Sequence, residues 1–217
     1  MKFSMSKSKE PAKRSPGRPK VVDQGTLPMR DAILRMASAL FMEMGFEPVS
    51  VNQVAEKTGV TKASVYYYFT SKAELFTASV SEMMGRIRES TLYHLRQTGD
   101  LRTRLNQLAA AKLRHPHIEF ESMMREAMPS LSEEQRERIR SAEQRIHDAV
   151  TDGFIEAMEK GEIAKANPLL LSHAFGSLLM MGNRASELAG GSSGKPLAEQ
   201  IVDLFWCGIS QNSNGTV

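Results

Sequence analysis

Apolar residues recur with a helical period from residue 29 almost to the end of the chain, and this pattern limits the possible folds. In the first predicted helix, about Met29–Met44, the apolar positions 33, 34, 37, 40, 41 and 44 form one stripe at 3.6 residues per turn. No segment alternates as a half-buried strand does, and no repeat of about 20–50 residues is present. The sequence therefore predicts an all-α protein of about nine helices.

Capping signals divide this pattern into separate helices. Ser50 with Gln53 and Ser71 with Glu74 fit the capping box. In this motif, the side chain of each residue accepts a hydrogen bond from the main-chain N–H of the other. Further predicted helix starts are Thr61, Ser132 with Gln135, and Asn167 followed by Pro168. The later helices are predicted at about 101–114, 118–128, 133–160, 168–182 and 197–209, with Pro116, Pro129 and Gly161 as stops.

The composition favours a protein of the reducing cytoplasm. Hydrophobic residues make up 41% of the 217 residues, which is enough for a substantial core. The single cysteine, Cys207, excludes an internal disulfide, and we expect it to be buried and inert. No apolar run reaches the roughly 18 residues of a membrane span, so we expect no membrane partner.

The N-terminal residues 1–27 lack a hydrophobic period and contain three prolines, which predicts a disordered arm. Seven basic residues and one acidic residue lie in the first 20 positions, whereas the rest of the chain is mildly acidic. This asymmetry predicts a polyanionic partner for the arm, although a solvated tail explains the charge equally well.

The segment "VTKASVYYYFTSK", residues 60–72, holds three of the four tyrosines. It follows a short helix across the turn "TGVT", and two such helices form a helix-turn-helix unit. A helical projection points Val65 and Phe69 inward and Tyr67 outward, with Tyr66 and Tyr68 on the two flanks. The tyrosines then form either an exposed aromatic ridge or a packing cluster against the next helix.

The outward residues of this second helix suit contact with DNA. Ala63 and Ser64 are small, so the main chain can approach base edges in the major groove. The helix start at Thr61 and Lys62 attracts phosphate, because its free N–H groups carry partial positive charge. Tyrosine hydroxyls and the Lys72 amine can bind flanking phosphates without reading the base sequence.

Four consecutive motifs, "ALFMEMGFEPVS", "VNQVAEKTGV", "TKASVYYYF" and "TSKAEL", resemble the TetR family of bacterial transcriptional repressors over about residues 28–80. Two positions depart from the family pattern, because Ala63 replaces the usual glycine and Tyr68 a common histidine. The resemblance implies DNA contacts at Val51, Thr61, Lys62, Ala63, Ser64, Tyr66, Tyr67, Tyr68 and Lys72. The helical projection agrees best with the resemblance at Ala63, Ser64 and Tyr67.

The arm contains "RSPGRPK", in which Gly17-Arg18-Pro19 resembles the core of an AT-hook. Arg14 and Arg18 are therefore candidate DNA contacts, and an arginine can lie in a narrow A·T minor groove. We interpret the arm either as a basic segment that adds affinity or as a reader of A·T sequence.

The resemblance also implies a division of the chain. The three-helix DNA-binding domain is expected at residues 28–74, a helical effector-binding and dimerisation domain at 75–211, and a tail at 212–217. Family members are homodimers through their last two helices. Here the eighth helix is apolar on nearly all sides and the ninth contains Leu204, Phe205, Trp206 and Ile209, which fits either a dimer interface or an internal core.

In the family, the C-terminal domain usually encloses a ligand pocket. Methionine is flexible and polarizable, so methionine-rich walls adapt to apolar ligands, but a methionine stripe is also ordinary core. His147 and His173 are either ligand hydrogen-bonding groups or satisfied core residues. The candidate pocket residues are Met83, Met84, Phe120, Met123, Met124, Phe154, Met158, Phe175 and Met181.

The sequence contains no enzymatic motif, so we expect neither an enzyme nor a cofactor. The segment His115-Pro116-His117 lacks companion ligands at metal spacing, so we also expect no metal site. The sequence predicts a sequence-specific DNA-binding repressor that a small, apolar ligand releases from a palindromic operator. The alternative is a constitutive architectural DNA-binding protein without an effector.

Overall fold

A computed structural model describes residues 28–114, 120–184 and 195–210. Within these ranges it is all-α, as predicted, with nine α-helices and one short 3-10 turn at Met128–Ser130. No helix in the described ranges combines the length and apolarity needed to cross a bilayer. The helices are α1 Met29–Met44, α2 Val51–Thr58, α3 Lys62–Tyr68, α4 Lys72–Leu95, α5 Leu101–Leu113, α6 Phe120–Ala127, α7 Glu133–Glu159, α8 Pro168–Arg184 and α9 Leu197–Ile209.

Helices α1–α3 and the first turns of α4 surround a core of three phenylalanines. The ring of Phe76 lies 5.0 Å from those of both Phe41 and Phe46, edge-on to each. Such edge-to-face contacts add to the stabilisation that burial of the rings provides. This core holds α2 and α3 in a fixed relation to the start of α4.

Local capping signals act largely as predicted. Ser50 and Gln53 form both halves of the capping box at α2, and Ser132 and Gln135 do so at α7. The expected second box at Ser71 is wrong in one half. Ser71 accepts from the Glu74 N–H, but the Glu74 carboxylate accepts from Arg138 on α7 at 2.9 Å instead of returning to its own helix start.

Helix α4 belongs to both halves of the molecule. Leu75 and Phe76 near its start are buried in the N-terminal core, whereas Leu95 at its end lies in a second core. Between them the helix packs along α1 and α7. The expected boundary after residue 74 therefore falls inside one continuous helix.

The second core lies between α5, α7, α8 and α9. Phe154, Phe175 and Phe205 meet with ring centroids 5.3–6.5 Å apart. Next to them, Arg104 donates to the main-chain oxygen of Leu95 at 3.0 Å and to Glu162 at 2.9 Å. This pair ties the start of α5 to the segment after α7.

One expectation for α9 is wrong for the single chain, because Cys207 is exposed rather than buried. Leu204 is also 63% exposed, so of its two interpretations the internal core does not apply in the single chain. Both lie beside the stripe that packs against the core, which consists of Ala198, Ile201, Val202, Phe205 and Ile209. The predictions for Arg14, Arg18, the arm at 1–27, His115–His117 and the tail at 212–217 lie outside the described residues.

Candidate nucleic-acid interface and interior cavity

Helix α3 is short and is anchored by two residues. Val65 is fully buried and Phe69 nearly so, as the helical projection predicts. At its start, the Thr61 hydroxyl accepts from the Ser64 N–H at 3.0 Å and lies 2.8 Å from the Ser64 hydroxyl. Cap and core together fix which face of α3 points outward.

The outward face of α3 is aromatic and open to solvent. Tyr67 is 83% exposed, and Tyr66 and Tyr68 are also exposed. The Tyr67 ring lies edge-on to that of Tyr68 at 5.1 Å, and the Lys62 ammonium lies 5.8 Å from the centre of the Tyr66 ring. The structure therefore has an exposed ridge rather than a tyrosine cluster packed into the fold.

The other predicted DNA contacts differ in their availability. Thr61, Lys62 and Ala63 are exposed, and Ser64 is half-buried. The Val51 side chain is buried in the core and is not available for an external contact. The Lys72 ammonium donates to the main-chain oxygen of Glu47 at 3.0 Å and lies 4.3 Å from the centre of the Phe46 ring.

Helices α4–α8 together line a cavity of about 590 Å³ that is partly open to solvent. This volume falls within the roughly 300–1,000 Å³ of small-molecule sites. The walls are mainly apolar, with a minority of charged and imidazole side chains. The lining consists of Met83, Met84, Arg86, Ile87, Ser90, Ala111, Lys112, Phe120, Glu121, Glu143, Ile146, His147, His173, Gly176, Ser177, Leu179 and Met180.

The structure brings only some of the predicted pocket residues to this cavity. Met83, Met84 and Phe120 line it, as do His147 and His173. The other six lie elsewhere, because periodicity identifies buried positions without separating core from cavity wall. Met123, Phe154 and Phe175 are fully buried in the two cores, Met124 and Met158 pack against those cores, and Met181 is exposed while its neighbour Met180 lines the cavity.

Sequence reasoning missed two cations in the cavity wall, Arg86 on α4 and Lys112 on α5. The sequence could have indicated both residues, since each lies on a predicted helix next to apolar residues that face inward. Arg86 has the Glu82 carboxylate at 3.5 Å. Lys112 makes no hydrogen bond or ion pair with any described residue, and burial lowers the pKa of its amine to about 8.

Two imidazoles lie next to each other in the cavity wall. The rings of His147 and His173 lie 4.6 Å apart. Burial lowers the pKa of His147, and the neighbouring His173 lowers it further. His147 is therefore neutral at pH 7 and can act as a hydrogen-bonding group rather than a cation.

The last two helices expose large apolar side chains. On α8 these are Leu169, Leu170, Met180 and Met181, and on α9 Leu204 joins the exposed Cys207. A cluster of exposed apolar residues marks an interaction surface more often than scattered single ones do.

Known proteins match part of this sequence. Residues 33–78 match the family model TetR_N, bacterial regulatory proteins of the tetR family. The transcriptional activator FasR of Mycolicibacterium smegmatis is 31% identical over 93 residues, covering 43% of this chain and 42% of FasR. The transcriptional repressor ComR of Escherichia coli is 39% identical over 74 residues, covering 34% of this chain and 32% of ComR.

A solved structure matches most of the fold. The regulator FadR of Bacillus subtilis, in complex with stearoyl-CoA, has a TM-score of 0.64 at 16% identity and covers 81% of this chain and 96% of that one. The fold and the N-terminal motifs define a helix-turn-helix protein with a helical C-terminal domain. Residues 33–78 have the sequence pattern of the N-terminal domain of tetR-family regulatory proteins, and the fold of the described residues is that of the solved regulator. The chain's matches span less than half of the length of FasR and ComR.

Proposed function

We propose that the protein is a transcriptional regulator that binds operator DNA through α3 and loses affinity for it when a small molecule fills the cavity. The observation that carries this proposal is the course of α4. Its first residue, Lys72, follows the DNA-facing helix after three residues, and its middle, Met83–Ser90, forms one cavity wall. Residues 28–74 act as the DNA-binding domain and 75–211 as the effector-binding and dimerisation domain.

DNA binding is supported by the surface of α3. Its outward side presents the small residues Ala63 and Ser64, with Tyr66, Tyr67 and Tyr68 beside them. Small residues permit close approach to base edges, and tyrosine hydroxyls suit flanking phosphates. Lys72 and Val51, which contact the fold itself, contribute by positioning α3 and α2.

Control by a ligand is supported by rigid connections between the cavity and the DNA-facing helices. A ligand changes DNA affinity only through unequal affinity for two states of the protein. A tilt of α4 would move α3, because three residues join the two helices and Val65 on α3 lies in the same core as Phe76 on α4. Coupling of about 3 kcal/mol would weaken operator binding about 150-fold.

A homodimer through α8 and α9 is supported by the exposed apolar side chains on these helices. Two copies related by a two-fold axis would place two α3 helices for successive major grooves, about 34 Å apart, so the operator would be a pseudo-palindrome. FasR is named an activator and ComR a repressor. We propose repression for this chain, because its N-terminal motifs resemble those of the TetR family of repressors.

The decisive experiment is selection of bound DNA from a random pool, with wild type and with Tyr67→Ala. A single palindromic motif that is lost in the variant supports the proposal. A pool enriched only in A·T content, with binding that depends on residues 1–20, would instead indicate an architectural protein.

A reporter gene placed behind the selected site then separates repression from activation. Deletion of the protein raises expression of the reporter only if the protein is a repressor.

A further inference from the structure

We propose that the effector is an amphipathic carboxylate, with an apolar body in the cavity and its single anionic head on the Lys112 ammonium. The inference rests on the proposed function, because it names the chemical class of ligand for the same cavity. It differs from the small apolar ligand that the sequence alone predicts.

The distribution of charge in the cavity wall carries this inference. Lys112 lines the cavity from α5 and has no ion pair or hydrogen bond with any described residue. The other cation, Arg86, already has Glu82 at 3.5 Å. The two carboxylates in the described part of the wall, Glu121 and Glu143, belong to exposed residues. Of the two cations in the described part of the wall, Lys112 is therefore the one without a counter-ion.

A ligand with a carboxylate head should bind next to the Lys112 ammonium more favourably than a ligand with a neutral head. An ammonium withdrawn from water is unfavourable unless an opposite charge or hydrogen-bond acceptors replace the water. A purely apolar ligand would remove the remaining water and leave the ammonium unpaired. A carboxylate would instead form a charge-assisted hydrogen bond with it. The same loss of water lowers the pKa of the Lys112 amine to about 8. At neutral pH most of the amine is therefore still protonated.

The remainder of the wall suits an apolar body. Met83, Met84, Ile87, Phe120, Ile146 and Leu179 line the cavity from four helices. Methionine side chains adjust to ligands of different shapes, so the wall accepts flexible and flat apolar groups alike. The carboxylate would provide orientation and the apolar wall most of the affinity.

Two matched pairs of probes test the proposal: decanoate with decanol, and 2-naphthoate with 2-naphthol. Calorimetric titration at neutral pH would measure binding to the full-length wild type, Lys112→Met, Lys112→Arg and the exposed control Lys165→Met. In at least one pair we expect the acid to bind wild type about tenfold more tightly than its neutral partner. Lys112→Met should abolish that preference but retain the neutral partner, whereas Lys112→Arg and Lys165→Met should preserve it.

Equal binding of acid and neutral partner in both pairs, or no binding of any probe, would overturn the proposal. A preference that survives in Lys112→Met would also overturn it. Adding the preferred acid to an operator-binding assay separates this inference from the proposed function. An acid that depends on Lys112 but leaves DNA affinity unchanged supports the ligand class and contradicts ligand release. If the acids fail to bind but a different molecule releases the DNA, ligand release is supported and the carboxylate ligand class is contradicted.

Discussion

The Glu126 carboxylate on α6 accepts a hydrogen bond from the main-chain N–H of Phe46 at 3.0 Å, across 80 residues of sequence. The same oxygen lies 3.4 Å from the N–H of Glu47. Phe120 and Glu121, in the first turn of α6, line the cavity. Helix α6 therefore joins the cavity wall to the loop between α1 and α2, in addition to the connection that α4 provides.

Glu126→Gln should weaken this link without removing it, because the amide oxygen is a neutral acceptor of nearly the same shape. We expect a loss of about 1 kcal/mol in the free energy of unfolding, since hydrogen bonds to charged groups exceed neutral ones in strength. Urea unfolding followed by circular dichroism would measure it. Glu43→Gln, an exposed change on α1, is the matched control, and an equal loss in both variants would contradict the assignment.

Tyr67→Ala should weaken operator binding at least about tenfold while stability stays within about 0.5 kcal/mol, because exposed surface substitutions seldom affect the fold. Fluorescence anisotropy with labelled operator DNA would measure the affinity. Tyr93→Ala on α4 is the matched control, since Tyr93 is 64% exposed but lies away from α3. If both variants bind like wild type, the aromatic ridge does not contact DNA.

Arg104→Met should destabilise the protein by about 2 kcal/mol, because it removes one partner of a largely buried ion pair and leaves Glu162 without its counter-ion. Arg104 is only 4% exposed, and Glu162 retains partial exposure. Arg102→Met removes the exposed pair with Asp203 and should have little effect. Thermal unfolding of both variants gives the comparison, and similar losses would show that burial does not set the strength of these pairs.

Leu204→Glu should convert the proposed dimer to a monomer, because it puts a charge into the apolar surface that α8 and α9 share between copies. Sedimentation velocity would report the change in mass. The single Cys207, exposed in one chain and close to Leu204 on α9, offers an independent readout. Its reaction with a thiol reagent should be slow in wild type and fast in Leu204→Glu. Fast labelling and a monomeric mass in wild type would contradict the interface.

Affinity for an acidic effector should fall as pH rises from about 7 to 9. Below the pKa of about 8 the Lys112 amine carries a positive charge, and above it the charge is lost while a carboxylate ligand stays ionised. The bound anion favours the charged amine, which moves the decline to a somewhat higher pH. Lys112→Arg should bind equally at both pH values, and titrations at the two values would show the difference. Among the described residues, the other charged or titratable side chains that line the cavity are Arg86, Glu121, Glu143, His147 and His173.

The helices and the outward face of α3 could be predicted closely from the sequence. The bounds Met29–Met44 agree with the predicted first helix, and the caps at Ser50, Thr61 and Ser132 form as expected. The exposure of Tyr67 follows from the burial of Val65 two positions earlier. Each of these features depends on residues within about four positions of one another, the range over which helix caps and periodicity operate.

The cavity could not be predicted in the same way. The Glu74 carboxylate illustrates the reason, because it fits a local capping box and yet binds Arg138, which lies 64 residues away on α7. A period of 3.6 residues tells which side of a helix avoids water, but not which neighbour covers it. The sequence by itself determined the all-α architecture, most of the caps and the exposed tyrosine ridge of α3. Only the tertiary structure decided that Lys112 lines a cavity and that Phe154 fills a core, because both depend on how distant helices pack.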